Sequence, residues 1–280
     1  MNLEGSMLIV NLTTTHSRLD LCSITLFSLL NQSVSPDKIR VWISEESYLS
    51  DQGVKKIPDF LLKLNKFNDI VEFVYTKNTG PYRKIFPALK IAGENDVLVY
   101  ADDDVVYHKE WLEKIFSTFN KYQRMNVVAA RVRLKKKNIF NKYKSYVAYP
   151  ICLTERTLSR DYIITGLGGA ILMKKHIASQ YIYMEDYIEI APKTDDLWIS
   201  EIITRSKTNV TTCPDAICYF TEINHSNNAL SANNNPVLSG GVLSLFLKKS
   251  ILKLSSYFGV NKTNNDVAAK KIYKHFHDAL

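Results

Sequence analysis

Residues 96–112 read DVLVYADDDVVYHKEWL. An apolar run, Val97 to Tyr100, ends in three consecutive acids, Asp102, Asp103 and Asp104. Like charges repel, and folding alone gives no reason to gather them where a buried strand stops. A cation is expected there. If the chain stays extended, Asp102 and Asp104 project to one side and Asp103 to the other. Two carboxylates on one side make a hard-oxygen site for Mg²⁺ or Mn²⁺, a kind of site that keeps waters and is completed by substrate phosphates. The competing use is a solvated acidic turn capping the helix expected at KEWLEKIFSTFNKY.

Outward from this stretch, apolar runs alternate with helical patterns. MLIVNL, KIRVWIS, DIVEFVYT, DVLVYA and NVVAARVRL read as strands. SRLDLCSITLFSLLNQ reads as a helix, with Leu19, Cys22, Leu26 and Leu29 or Leu30 near helical spacing. IPDFLLKLNKF is a shorter helix, and YRKIFPALKIAG opens as one, although Pro87 interrupts its middle. Such alternation predicts βαβ units and a mostly parallel sheet, an α/β fold. Open sheets of this kind bind ligands beyond the carboxyl ends of their strands, where the acidic triplet falls.

The pattern then loosens. Residues 135–162 are basic, aromatic and irregular; IITGLGGAILMKKHI resumes with a glycine-rich turn and a strand; TDDLWISEIITR is a helix with Thr194 as its N-cap; AICYF is a late strand. INHSNNALSANNNP reads as a loop, since Asn favours turns. Residues 242–258 are amphipathic, with Leu243, Leu247, Ile251, Leu254 and Phe258 on one stripe and lysines elsewhere. That helix either docks on the domain or lies on an anionic membrane. The expected division is one α/β domain over residues 7–236 and a helical, membrane-associating extension over 237–280.

The chain has 280 residues, a formal net charge of +8 and a pI near 9.1, which favours anionic partners. Its four cysteines, Cys22, Cys152, Cys213 and Cys218, show no zinc-like spacing and read as reduced, buried thiols. No basic segment followed by a long apolar one opens the chain, and no run reaches the eighteen or so apolar residues of a membrane span. A cytoplasmic protein, peripheral on the inner face of the membrane, is expected.

Four motifs carry a resemblance. LIVNLTTTHSRLDLCSITLFSLLNQSVSPDKIRVWIS, TGPYRK, YADDDVVYHKEWL, and TGLGGAIL with TDDLWIS together resemble the GT-A glycosyltransferases of the bacterial family-2-like type, over about Met7 to Phe220. The resemblance implies a metal-dependent transfer of sugar from a nucleotide-sugar donor, UDP-linked, to a saccharide or lipid-linked saccharide in surface polysaccharide synthesis, with inversion. Asp104 would ligate Mn²⁺ or Mg²⁺ directly, Asp102 would contact the ribose or a metal-bound water, and Asp103 stays with them on the donor side. His225 is a candidate third ligand. Lys84, with Arg83 as the alternative, would meet a phosphate as a point charge. Thr13, Arg18 and Glu45, at the ends of the first two strands, would contact the nucleoside. Asp196, or Asp195 if the helix starts one residue differently, would be the general base. Gly168 and Gly169 would let backbone approach the acceptor sugar, and Trp198 would pack either on that sugar or into the core.

Three other readings are weighed against this one. A haloacid-dehalogenase-type phosphatase would carry its acidic motif after the first strand; here it follows about the fourth. A nucleotidyltransferase would carry a glycine-rich basic loop after the first strand, and TTTHSRL has no glycine. A nucleic-acid-binding protein finds support only in residues 131–149, RVRLKKKNIFNKYKSYVAY, and the acidic triplet would repel a phosphate backbone. No nucleic-acid partner is expected.

Overall fold

The computed structural model describes residues 5–66, 69–223 and 263–278. The first half follows the alternation read from sequence. Strands β1 (Leu8–Thr13), β2 (Lys38–Ile43), β3 (Val71–Tyr75) and β4 (Val97–Tyr100) lie parallel, with Val10 opposite both Ile39 and Val99. Strand β4 is apolar throughout, and β1 is apolar but for Asn11 and Thr13, because both faces of the sheet are covered. Leu8, Val10 and Leu12 face one core, and Ile9 the other. Helices α1 (Leu19–Leu30) and α4 (Trp111–Lys121) fill the first layer, α1 through Leu19, Cys22, Leu26 and Leu29. Helix α2 (Asp59–Leu62) is a single turn. Helix α3 (Phe86–Ile91) belongs to the opposite layer. Its Pro87 sits in the first turn, where a missing N–H costs nothing, and the residues before it form a separate 3-10 turn, Gly80–Lys84.

Beyond β4 the sheet changes character. Strand β5 (Val105–Tyr107) follows the acidic turn at once. The run expected as one strand, NVVAARVRL, is two: β6 (Val127–Ala129) in the main sheet and β7 (Val132–Leu134) outside it. Full burial on both faces suits the valines of β6, whereas Arg131 and Arg133 need a polar outlet and turn toward the ligand cleft. Strands β8 (Thr157–Leu158), β9 (Tyr162–Ile164) and β10 (Ala170–Leu172) follow, β9 pairing with β7. Then come α5 (Ser179–Tyr183), α6 (Tyr187–Ile190), α7 (Asp195–Arg205) and β11 (Val210–Thr212). The main sheet has the order β3-β2-β1-β4-β10-β6-β11-β8. Its β10 runs antiparallel between β4 and β6, and β8 antiparallel beside β11, in an otherwise parallel sheet.

AICYF, expected as a strand, is mostly a 3-10 turn over Pro214–Tyr219, because Pro214 cannot donate to a ladder; only Phe220–Glu222 forms a strand, β12, paired with β5. Helix α8 (Asn264–Asp278) packs Ala268, Ile272 and Phe276 into the core that holds Trp198. The amphipathic stretch 242–258 lies outside the described residues. All four cysteines are free thiols; Cys218 is exposed rather than buried. Among the described residues no helix is long and apolar enough to cross a membrane.

Candidate active site

A cleft of about 530 Å³ opens over the carboxyl ends of β1 and β4. Its floor is built by the chain leaving β4. Ala101 still donates to Asn11 of β1, but residues 103–104 already turn. The expected alternation therefore fails: Asp103 and Asp104 face the same cation, and Asp102 faces another. Arg18 Nη2 lies 2.6 Å from Asp103 Oδ1 and 2.6 Å from Asp104 Oδ2. Burial opposes the charge on Arg18, yet Asp103, Asp104 and Asp102 together hold its pKa above the ordinary value. Burial raises Asp103 to about 6 against the pull of Arg18, with Asp104 adding to the rise.

Asp102 Oδ1 accepts a hydrogen bond from Lys84 Nζ at 2.8 Å, and the same ammonium lies 2.8 Å from Asp195 Oδ2. Lys84 is 4% exposed. It is no solvated helix end: burial works against its charge, but Asp102, Asp195 and Asp196 outweigh that and raise its pKa. Gly166 makes this contact possible, since a β-carbon there would stand 2.4 Å from Lys84 Nζ and 2.7 Å from Asp102 Oδ1. The Gly166 N–H donates to Asp196 Oδ1 at 2.9 Å. Both acids begin α7 and line the cleft. Thr194 stands at the N-cap as expected, but its hydroxyl makes no capping bond, and its carbonyl accepts from Leu197 and Trp198 instead. Among the described residues no cation pairs directly with Asp196. Burial first, then Asp195 and Asp102, raise it to about 8 against the opposing charge of Lys84.

Other expected residues separate into those on the cleft wall and those away from it. Thr13 lines the cleft, with its hydroxyl donating to the Trp42 carbonyl at 2.8 Å. Glu45 is exposed and off the wall. The chain after β2 doubles back at Gly53, whose φ of +80° brings it so close to the Glu45 carbonyl that a β-carbon would collide at 2.2 Å. The carboxylate returned to the cleft is Asp51. It accepts from Arg83 Nη2 at 2.9 Å and from the backbone of His16 and Gly53. Arg83, 1% exposed, is committed to this pair and to the Thr14 carbonyl.

The acceptor assignments need correction. Trp198 is fully buried, its ring 5.0 Å from that of Phe276. It belongs to the core. Gly168 and Gly169 are also buried; their missing β-carbons admit Arg131 at 2.7 Å and Trp111 at 2.5 Å, so the close approach is to protein rather than to sugar. The cleft wall beside α7 is formed instead by Arg131, Arg133 and Tyr146. Arg133 lies over the Tyr146 ring at 5.1 Å. Burial and Asp196 push the Tyr146 phenol up to about 12, so it remains a donor at neutral pH. His225 lies outside the described residues.

The donor set fits a divalent cation. Asp102, Asp103, Asp104 and Asp195 share Arg18 and Lys84, and Asp196 stands beside them, raised by burial first and by Asp195 and Asp102 after it. Among the described residues no three His, Cys, Asp or Glu side chains form a finished metal cage. A site of one or two carboxylates completed by phosphate oxygens is the usual manner of binding Mg²⁺.

The mostly parallel α/β sheet with flanking helices is that of a GT-A fold. Residues 12–181, well over half of the chain, match the family described as Glycosyl transferase family 2, and the chain belongs to that family. No curated protein matches it. Among solved structures it is similar to 4-diphosphocytidyl-2C-methyl-D-erythritol synthase from Anaerococcus prevotii, at 14% identity and a TM-score of 0.40, with 66% of this chain and 82% of that chain covered.

Proposed function

We propose that this protein transfers a sugar from a UDP-linked donor to a saccharide acceptor, with inversion, in the synthesis of a bacterial surface polysaccharide. The observation that carries the reading is Lys84, whose single ammonium joins Asp102 of the acidic turn to Asp195 of α7. The donor-side and acceptor-side acids thereby share one cleft. Asp104 would hold Mn²⁺ or Mg²⁺ directly, with Asp102 meeting the ribose or a metal-bound water, and the ion would neutralise charge developing on a departing diphosphate. His225 is carried as a further ligand from the sequence alone.

The chain's own residues divide the remaining work. Asp196 accepts the proton of the acceptor hydroxyl as that oxygen bonds to the anomeric carbon and the bond to the nucleoside diphosphate breaks. Its raised pKa makes it a stronger base than an ordinary carboxylate. Gly166 fixes one of its oxygens, so the acid keeps its aim. Lys84 positions Asp102 and Asp195 and offers positive charge close to the leaving group. Thr13 and Arg18 stand at the nucleoside end. Tyr146, Arg131 and Arg133 supply hydrogen-bond donors where an acceptor saccharide would enter.

Calorimetric titration of UDP tests this reading, with Mn²⁺ and then with EDTA, on the protein and on Asp104→Ala. Metal-dependent binding lost in the variant is expected. Folded protein that binds neither UDP, GDP nor CMP under either condition overturns it.

A further inference from the structure

Two like charges stand together on the cleft wall. Arg131 and Arg133 are two residues apart where the chain enters β7, so they share a face. Val132 between them is buried in the core, which turns both arginines to the cleft, and both line it. Gly168 seats this piece of chain: a β-carbon there would stand 2.7 Å from Arg131 Cβ and 2.8 Å from Arg131 N. Thr165 N pins it further, donating to the Arg131 carbonyl at 3.0 Å.

Each guanidinium spends one nitrogen on a neutral oxygen. Arg131 Nη1 donates to Thr165 Oγ1 at 3.2 Å, and Arg133 Nη1 to the Tyr149 carbonyl at 2.9 Å. Arg133 Nε is buried and has no partner among the described residues. Burial first, then the charge of Arg133, lower the pKa of Arg131 against the opposing pull of Tyr146, Asp196 and Glu222. Asp196 and Glu222 act from a distance; among the described residues neither arginine pairs directly with a carboxylate. From Arg131 to Leu153 the chain itself holds no Asp or Glu. A buried donor without a partner and two like charges on one face both cost stability, and folding alone gives no reason to keep them. A bound anion repairs both, since the guanidinium fork meets a carboxylate or phosphate in two parallel hydrogen bonds.

We infer that Arg131 and Arg133 form a subsite for a negatively charged group carried by the acceptor, a carboxylate or a phosphate. Its place gives the anion to the acceptor. The pair shares its wall with Tyr146, and both Tyr146 and Arg131 lie in the field of Asp196, the base assigned to the acceptor hydroxyl. Arg133 covers the Tyr146 ring at 5.1 Å, and Tyr146 N is tied to α8 by donating to Asp266 Oδ1 at 2.8 Å. Under the proposed function the donor diphosphate falls to Lys84 and the acidic turn; calling this second anion the acceptor's rests on that reading. Two kinds of acceptor carry such a group: an acidic sugar, or a saccharide joined to lipid through phosphate.

The test is calorimetric titration of the full chain, saturated with UDP and Mn²⁺, with methyl glucoside, methyl glucuronide and glucose 1-phosphate. At least one charged probe should bind about tenfold or more tightly than the neutral glucoside, and added salt should narrow the gap. Preference for the glucuronide points to an acidic sugar, and preference for the phosphate to a lipid-linked saccharide. Arg131→Gln/Arg133→Gln should bring the charged probes down to the affinity of the glucoside. Arg131→Lys/Arg133→Lys, which keeps both charges without the fork, should retain part of the preference. Equal binding of all three probes by the parent would overturn the inference, as would a preference that survives in the folded glutamine variant. So would loss of UDP affinity in that variant with the probes unchanged, which would give the pair to the donor. A parent protein that binds no UDP, GDP or CMP strikes both readings, whereas normal UDP binding beside three equal probes strikes this one alone.

Discussion

Lys84 meets Asp195 at 2.8 Å across the floor of the cleft, with its ammonium also on Asp102. A buried ammonium tolerates such a place only when carboxylates surround it, and removing one member strands the others. The contact ties the turn after β4 to the start of α7, elements far apart along the chain. It makes the two acidic motifs one electrostatic unit.

Gly166 tests that unit without touching a charge. Gly166→Ala places a methyl where Lys84 Nζ and Asp102 now lie. The ammonium must move, and donor turnover should fall by about tenfold or more while the fold survives. Thermal melting beside a turnover assay checks both halves. Undiminished turnover would show that the position of Lys84 is immaterial.

Asp196 sets a pH dependence with a definite sign. Its folded pKa is raised to about 8, so the native state keeps a proton that the unfolded chain releases near pH 4. The stability from this proton is complete below that unfolded value and is lost as pH rises through the folded one. Asp196→Asn should therefore gain melting temperature relative to the parent between about pH 5 and pH 9, while losing turnover. In the parent, turnover per free donor should climb with pH over the range where Asp196 ionises.

Arg18 is the resident counter-charge of Asp103 and Asp104. Its side chain is 12% exposed and theirs 6% and 15%. Arg18→Gln removes the cation that bridges two close, largely buried carboxylates and should cost about 3 kcal/mol in urea unfolding. Mn²⁺ should then raise the melting temperature of Arg18→Gln by more than that of the parent. An equal rise in both proteins would remove the acidic turn from metal binding.

The docking of α8 carries a stability prediction of its own. Phe276 is 6% exposed, against Trp198 on one side and the Arg205 guanidinium at 4.4 Å on the other. Phe276→Ala should destabilise the whole domain by about 3 kcal/mol, measured as a lowered urea midpoint with an unchanged slope. Loss of the helix signal alone, with the rest unfolding as before, would mean that α8 is not part of the cooperative unit.

What the sequence disclosed follows from where the physics is local. The parallel strands were legible because strands buried on both faces are mostly apolar, as β1 and β4 are. The acidic turn was legible because like charges at a strand end are improbable without a cation. The exchange of partners within it was not: whether Asp102 or Asp103 faces Arg18 depends on a turn one residue earlier than an extended reading assumes. Glu45 and Asp51 show the same limit, since Gly53 reverses the chain beside them. The glycines of TGLGGA signalled close approach, but only the fold says that Gly166 admits Lys84 and that Gly169 admits Trp111. Arg131 and Tyr146 reach the cleft through the separation of β6 from β7, which a continuous run of apolar and alternating residues conceals.

The central claim is that this cleft activates a nucleotide sugar, with Asp196 as base. The most direct measurement is release of nucleoside diphosphate from a panel of nucleotide sugars, water serving as acceptor, by the parent, Asp196→Asn and Asp104→Ala. The account predicts slow release from one donor by the parent and a fall of about a hundredfold or more in each variant, with folding intact. Release that persists unchanged in Asp196→Asn would contradict it.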